Sequence, residues 1–278
     1  MNTKKDIHVS DTAFVTCAFR RLNEDLSRDP YAKLWCNEKA ETILKDYLLK
    51  VSTEEIDTHC IRNRYFLEVL ENVVSSKKIQ VLINFGAGFS MYPFLLDDGM
   101  EQIEIDKPEV VQLKSEATEL WMQEGKLPKR KVTYLGVDFS TDYQEELIKN
   151  IKKLVGKKSC FILIEGVLFF LNRPQTESIF QCFNAIQKTG DYIGSVSYTE
   201  DILKTDAYKR LLKYANKELD DASIDGFQCI EDSFYTNLHN YTLTDHQDYF
   251  SCAKTFGHSP KNKVTDILNE HFYCLQKQ

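Results

Sequence analysis

Four short segments, in a fixed order along the chain, carry the residue types that hold a nucleotide-like cofactor. The first runs Ile79-Gln-Val-Leu-Ile-Asn-Phe-Gly-Ala-Gly-Phe-Ser90, an apolar stretch that ends in Gly86, Ala87 and Gly88. Val81, Leu82, Ile83 and Phe85 are too continuous for a strand with one wet face, so they predict a parallel strand covered on both sides. The two glycines let the backbone turn tightly and approach a ligand. An acid, Asp106, follows Gly88 by eighteen positions (106 − 88) in Glu104-Ile-Asp106-Lys107-Pro108, where the next strand should end. A carboxylate at that edge suits a pair of ribose hydroxyls. Glu104 points the same way in period 2, and Asp106 is preferred because it lies nearer the edge. The third segment, Leu135-Gly-Val-Asp138-Phe139-Ser, offers an acid and an aromatic ring to an adenine. The fourth, Phe161-Ile-Leu-Ile-Glu165-Gly166, places a carboxylate at the mouth of an apolar strand, where burial without a polar partner would be costly. Met91 stands where a dinucleotide fold has its third glycine. With no pyrophosphate cradle, S-adenosylmethionine suits the site better than NAD. Each acid taken singly has a plain reading as a loop or capping residue; the four strand ends in order point to a cofactor.

The elements that must position these residues alternate. Strands are expected at 79–85, 101–106, 131–137, 159–165 and 191–198, with helices near 90–97 and over 108–124, 142–155, 174–188 and 201–219. Pro108 and Pro174 sit near helix starts. Ser90 is placed to cap the helix that follows the glycine turn, whose free amides would make the turn electropositive. Strands separated by helices imply right-handed crossovers and a parallel sheet. Before them, Phe14, Ala18 and Leu22, then Ile43, Tyr47 and Leu48, then Phe66, Leu67 and Leu70 form helical stripes. Beyond 225 the segments 227–235, 248–256 and 272–275, with one short helix near 262–270, suit an antiparallel closing hairpin. The expectation is an α/β, Rossmann-like fold: a mostly parallel seven-stranded sheet with an antiparallel C-terminal hairpin and an N-terminal helical lid. The lid would span 1–75 and the cofactor-binding core 76–278, with a substrate-side insertion around 200–230.

Composition narrows the function classes. A net charge of −7 gives no basic field, which disfavours nucleic acid and anionic membranes as partners. No apolar run approaches the length of a membrane span, and the N-terminus lacks an apolar signal core. A cytoplasmic protein, monomer or homodimer, is expected. The eight cysteines show neither Cys-x-x-Cys spacing nor a nearby histidine pair, so they read as reduced, mostly buried thiols and no metal site is expected.

Over roughly residues 10–200 the chain resembles the leucine carboxyl methyltransferase family, including bacterial members that methylate natural-product intermediates. The likeness rests on Asp11-Thr-Ala-Phe-Val-Thr-Cys-Ala-Phe-Arg20-Arg21, Asp29-Pro-Tyr31-Ala, Arg62-Asn-Arg64, Gly86-Ala-Gly88-Phe, Glu104-Ile-Asp106-Lys-Pro-Glu-Val, Asp138-Phe139 and Glu165-Gly166-Val-Leu-Phe-Phe170, in family order. The resemblance implies that Arg62 pairs with the methionine carboxylate, that Gly86, Ala87, Gly88 and Gly166 line the cofactor, and that Asp106 with Lys107 flanks the ribose. Asp138 and Phe139 would hold the adenine, and Glu165 would lie near the methionine amino group. The chain departs from the family in Ser90, where an acid is usual, and in Phe170, where a tyrosine is usual. The basic residue that the phosphatase-directed enzymes place ahead of Asp-Pro-Tyr has no clear counterpart unless Arg20 or Arg21 supplies it. Serine can still cap, so the first departure leaves cofactor binding in place, whereas the other two fall on the substrate side and favour a small-molecule acceptor over a protein C-terminal leucine.

Methyl transfer from a sulfonium is an in-line displacement, and a carboxylate is already deprotonated at neutral pH. No base is then required, and alignment with exclusion of water carries the catalysis. A hydroxyl acceptor benefits from a base, yet none of the six histidines lies in the four segments. Carboxylate O-methylation is therefore the first expectation and hydroxyl O-methylation the second, with S-adenosylhomocysteine as the other product. Methylation of a protein C-terminal carboxyl and a non-catalytic cofactor-binding subunit remain as alternatives. Arg20, Arg21, Tyr31 and Tyr198 are the groups expected to position the acceptor.

Overall fold

The computed structural model describes residues 11–76, 79–218 and 226–278. His8, the start of the expected lid and residues 219–225 of the expected insertion lie outside the described residues. The first five strands are β1 (Val81–Phe85), β2 (Glu101–Asp106), β3 (Val132–Gly136), β4 (Cys160–Ile164) and β5 (Tyr192–Ser197). They are followed by β6 (Tyr241–Asp248) and β7 (His271–Lys277), and the sheet order is β3-β2-β1-β4-β5-β7-β6. All pairings among β1 to β5 are parallel, whereas β7 runs antiparallel to both β5 and β6. Every residue of β1 and β4 is buried, as their unbroken apolar runs require. The strand order reverses between β1 and β4, which opens a crevice at their carboxyl ends.

Four helices precede the sheet: α1 (Asp11–Leu22), α2 (Glu24–Ser27), α3 (Glu38–Lys50) and α4 (Glu55–Ser75). Asn37 starts α3 by accepting the Ala40 amide at 2.8 Å, the usual side-chain cap for an otherwise orphan donor. After the sheet begins come α5 (Tyr92–Leu95), α6 (Pro108–Gln123), α7 (Gln144–Val155), α8 (Arg173–Ile186), α9 (Asp206–Glu218), α10 (Asp232–Thr236) and α11 (Tyr249–Thr255). One apolar cluster joins Leu82, Phe161, Val196 and Phe272 of the sheet to Ile61, Phe66 and Leu70 of α4 and to Leu211 of α9. A second joins Ile83, Ile162, Ile193 and Tyr273 to Leu147 and Ile151 of α7 and Phe183 of α8. The cap thus shares a core with the sheet. Among the described residues no helix is long and apolar enough to cross a membrane.

The C-terminal part differs from expectation in detail. Segments 227–235 and 248–256 contain α10 and α11 rather than strands, and near 262–270 there is only a 3₁₀ turn, Val264–Asp266. The β6–β7 pair is antiparallel, but α11 and that turn separate the two strands, so the connection is no tight hairpin. Asp248 explains the helix: its carboxylate accepts the Ser251 amide at 2.8 Å while Ser251 Oγ accepts the Asp248 amide, a reciprocal cap. All eight cysteines are free, six of them buried.

Beneath the sheet edge, Lys114 of α6 and Glu104 of β2 form an ion pair with both side chains at most 1 % exposed. Lys114→Ala leaves that carboxylate buried without its counter-charge, and the expected cost is about 3–5 kcal/mol of unfolding free energy. Urea denaturation measures it; a loss below about 1 kcal/mol would show that water or Asn84 replaces the ammonium.

Candidate cofactor and acceptor site

The glycine turn leaves β1 at the switch point. Gly86 has φ +71° and Gly88 φ +43°, both in the left-handed region. An added Cβ at Gly86 would lie 2.1 Å from Val167 Cγ2, so the loop after β4 packs directly on the turn, whereas at Gly88 it would meet nothing within 4 Å. One glycine permits the packing and the other leaves open space above the backbone. The Gly86 and Ala87 amides donate to the Ile105 carbonyl at 2.8 and 3.0 Å. Asp106 completes the tie, accepting from the Gly88 amide at 2.7 Å and, through its other oxygen, from the Lys107 amide at 2.7 Å. Burial pushes the Asp106 carboxyl up from its ordinary value, against the pull of these two amides.

Ser90 does not cap α5: the N-cap position is Met91, which makes no side-chain cap. Its hydroxyl instead donates to the Ala87 carbonyl at 2.9 Å and accepts from buried Asn84 at 2.7 Å, bracing the turn from below. With only four residues, α5 is also shorter than expected. Asp138 is exposed, and its carboxylate accepts from the Ser140 hydroxyl and amide at 2.6 and 3.0 Å, which lowers its pKa. Phe139 is half-buried against Phe85 and Tyr143, with ring centroids 5.4 and 5.1 Å away. Lys107 is exposed at the start of α6, and Gly166 has φ +71° just after Glu165.

Across the crevice, Glu165 accepts from Arg62 Nε at 2.8 Å and from the Tyr92 hydroxyl at 2.7 Å. Arg62 Nη1 donates in turn to Glu270 Oε1 at 2.5 Å. Arg62 and Glu270 are 4 % and 3 % exposed, and Glu270 Oε2 is buried without a hydrogen-bond partner. Burial, and then the nearby Glu165 charge, lift Glu270 to about 7 although Arg62 pulls it down. Glu55 is lifted to about 8 by burial and by Glu270, while the Tyr47 hydroxyl donates to it at 3.2 Å. Tyr198 stacks on Phe169 at 4.3 Å and has its phenol pushed well up by burial and by the charges of Glu270 and Glu55. His59, half-buried near Arg62, is held well below its usual value by burial of its ring and by the Arg62 charge, and is neutral.

The structure therefore gathers Arg62, Glu165 and Tyr198, and adds Glu270, Glu55 and Tyr92, which sequence reasoning missed. Arg62 is no free cation awaiting a carboxylate: Nε and Nη1 already serve two acids of the chain. The remaining acceptor candidates lie elsewhere. Buried Arg20 donates through Nε to Asp29 at 2.9 Å and through Nη2 to the Phe89 carbonyl at 3.3 Å, so it bolts α1 to the glycine loop. Arg21 is half-buried in an ion pair with Glu41 of α3. Tyr31 is half-buried against the apolar cluster of Trp35, Phe89 and Phe94. An acid directly before the apolar run of β7 was the one signal for Glu270; Glu165 was marked by following the run of β4, and the antiparallel course of β7 brings the two to the same edge.

These residues fit an adenosyl sulfonium: an edge carboxylate for the ribose diol at Asp106, open space at Gly88, a half-exposed ring at Phe139 and an acid facing the amino-acid end at Glu165. The sheet order, the glycine turn after the first strand and the acids ending the second and fourth define a Rossmann-like, S-adenosylmethionine-dependent methyltransferase. The chain belongs to the leucine carboxyl methyltransferase family, whose profile matches residues 10–184. It is 25% identical over 281 residues to a candidate S-adenosyl-L-methionine-dependent methyltransferase of Mycobacteroides abscessus, covering 94% of this chain and 86% of that one. The fold is shared with a candidate methyltransferase of Thermobifida fusca (TM-score 0.63, 10% identity, 97% and 95% of the two chains). It is also shared with magnesium protoporphyrin IX methyltransferase of Synechocystis, solved with bound S-adenosylhomocysteine (TM-score 0.52, 10% identity, 86% and 100% covered).

Two expectations follow. Asp106→Ala should weaken S-adenosylhomocysteine binding by about 1–3 kcal/mol with the circular dichroism unchanged, and Gly88→Val should weaken it further by filling the open space. Normal binding by both variants in calorimetry would remove the turn from the site. The raised acids also set a pH dependence. Glu55 and Glu270 take up protons on folding, so their favourable contribution is complete below the unfolded value of 4.5 and is lost as pH rises through about 7 and about 8. Glu55→Gln should flatten the fall of Tm from about pH 5 to about pH 9, and a parallel fall in both proteins would place the titration elsewhere.

Proposed function

We propose that the protein transfers the methyl group to an oxygen of a small molecule enclosed between the cap helices and the carboxyl ends of β4 and β5, and that this oxygen is a hydroxyl. The observation that carries this reading is the Glu270 carboxyl: one oxygen accepts from Arg62, and the other is buried with no hydrogen-bond partner among the described residues. A carboxylate acceptor calls for a cation, and Arg20, Arg21 and Arg62 are each engaged by acids of the chain. A hydroxyl calls for a proton acceptor, and a carboxyl lifted to about 7 is poised for that task near neutrality. This reverses the order of the two acceptor classes taken from the sequence, where no base was in view.

The cofactor supplies an electrophilic methyl on a sulfonium when bound. The chain does the rest: Asp106 and Glu165 fix the two ends of the ligand, Tyr198 and Phe169 wall the acceptor from water, and Glu270 Oε2 takes the hydroxyl proton. Carboxylate methylation stands as the second reading because the family is described by that reaction. Methyl transfer to a panel of phenols and a matched panel of carboxylic acids separates the two. With a phenol, Glu270→Gln should lower kcat by about 10²- to 10⁴-fold and remove the rise of kcat/KM with pH through about 7, while leaving S-adenosylhomocysteine affinity in place. Turnover confined to acids, or a Glu270→Gln variant as fast as the parent, overturns the hydroxyl reading.

A further inference from the structure

On the far side of the sheet edge, three potential ligands come together from β6, β7 and α10. We propose that Asp232, His246 and His271 form a binding site for a divalent transition-metal ion, zinc in preference. The proposal is independent of the methyl-transfer reading. One donor atom from each residue lies within 4.8 Å of the other two. His246 Nε2 is 3.1 Å from His271 Nδ1 and 3.6 Å from Asp232 Oδ1. Around a tetrahedral zinc with bonds of about 2.0–2.1 Å, adjacent ligand atoms are about 3.3 Å apart, so both His246 separations lie within a few tenths of an ångström of that value, and the exposed Asp232 carboxylate supplies the remaining adjustment toward His271.

The ligands are held as a metal site requires. Antiparallel pairing sets Asp248 opposite His271 and His246 opposite Tyr273, which makes the two histidines diagonal neighbours on one face. The His246 ring lies flat on Tyr273, 4.5 Å away and tilted by 11°. Asp232 opens α10, and its Oδ1 accepts the Tyr273 hydroxyl at 2.6 Å, a support of the kind that orients ligating carboxylates. Side-chain exposures of 51 % at Asp232 and 29 % at His246 leave a path for the ion and a position for water. The surroundings are acidic, with Asp248 and Glu231 both acting on His271, while burial keeps that imidazole neutral.

The protons balance. Without metal, Asn269 Nδ2 donates to His271 Nε2 at 3.3 Å, so the ring proton sits on Nδ1 and is shared with His246. Metal binding takes both facing nitrogen lone pairs, and the proton moves to His271 Nε2, where Thr199 Oγ1 at 3.5 Å accepts it. The other cluster of this composition, Glu54, Asp57 and His258, differs in kind. Its cation position is filled by Lys261 Nζ, 3.0 Å from Asp57 Oδ2, and Glu54 is saturated by the Lys261 and Asn262 amides and the Tyr249 hydroxyl.

Titration of the full chain with zinc in a calorimeter, and with cobalt(II) in a visible spectrometer, tests the site. We expect one ion per chain, a Tm that rises with zinc, and a cobalt spectrum of nitrogen and oxygen ligands without thiolate charge-transfer bands. His246→Ala should weaken zinc binding at least tenfold. Asp232→Asn, at an exposed position, should do so while unfolding normally without metal, which keeps the test valid if the histidine variant fails to fold. No stoichiometric binding, thiolate bands in the cobalt spectrum, or affinity unchanged in Asp232→Asn overturns the proposal.

Discussion

A guanidinium buried between two carboxylates governs how this molecule is put together. Arg62 comes from the cap helix α4, Glu165 from the end of β4 and Glu270 from the residue before β7. Removing three charges from water is costly, and the cost is offset only while all three keep their geometry. The cap is therefore fastened to the sheet electrostatically as well as by the apolar cluster of Phe66, Phe161 and Phe272. Lifting α4 away would strand two acids and a cation in a half-dry crevice. The same side chain links the end of β4 at Glu165 to the start of β7 at Glu270.

The sheet supplies the precision that the bridge needs. Parallel pairing brings the ends of β1, β2 and β4 to one level, so the glycine turn, Asp106 and Glu165 meet across a crevice although they are far apart in sequence. Contacts between loops then lock the turn: Val167 fills the space that only a glycine at 86 leaves, and Arg20 reaches from α1 to the Phe89 carbonyl. The family's Asp-Pro-Tyr segment thereby finds a structural role, since Asp29 holds Arg20 in place.

Much of this was legible in the chain because buried parallel strands write themselves as continuous apolar runs. The β2 bounds, Glu101–Asp106, agree with the expectation to the residue, while β1 starts two residues later than expected and β4 is one residue shorter at each end. The C-terminal third was read less well. There, apolar residues such as Phe234, Tyr235 and Tyr249 serve short helices that bury one side, and a stretch of five to seven residues does not distinguish a strand from a helical turn. Arg20 and Arg21 look alike in sequence, yet helical spacing sends one into the core and the other half into water. The site was read from its cofactor half because glycine turns and strand-end acids have a local pattern. Glu270 has only its place before an apolar run, since Arg62 and Glu165, with which it forms the bridge, lie 208 and 105 positions away (270 − 62, 270 − 165). The Asp232, His246 and His271 cluster escaped for the same reason, with spacings of 14 and 25 (246 − 232, 271 − 246).

The position of β7 bears on how the chain matures on the ribosome. Strand β6 is synthesised thirty residues earlier than β7 (271 − 241), yet among the described residues it pairs only with β7, which slots between it and β5. Until β7 emerges, the nascent chain carries a β5 edge with unsatisfied amides and a β6 with nothing to pair to, the kind of surface that chaperones shield and that aggregates when left bare. Glu270 arrives with the same stretch of chain, so Arg62 meets its second acid only as the sheet closes. Completion of the fold and completion of the charged crevice are one event in the life of the polypeptide.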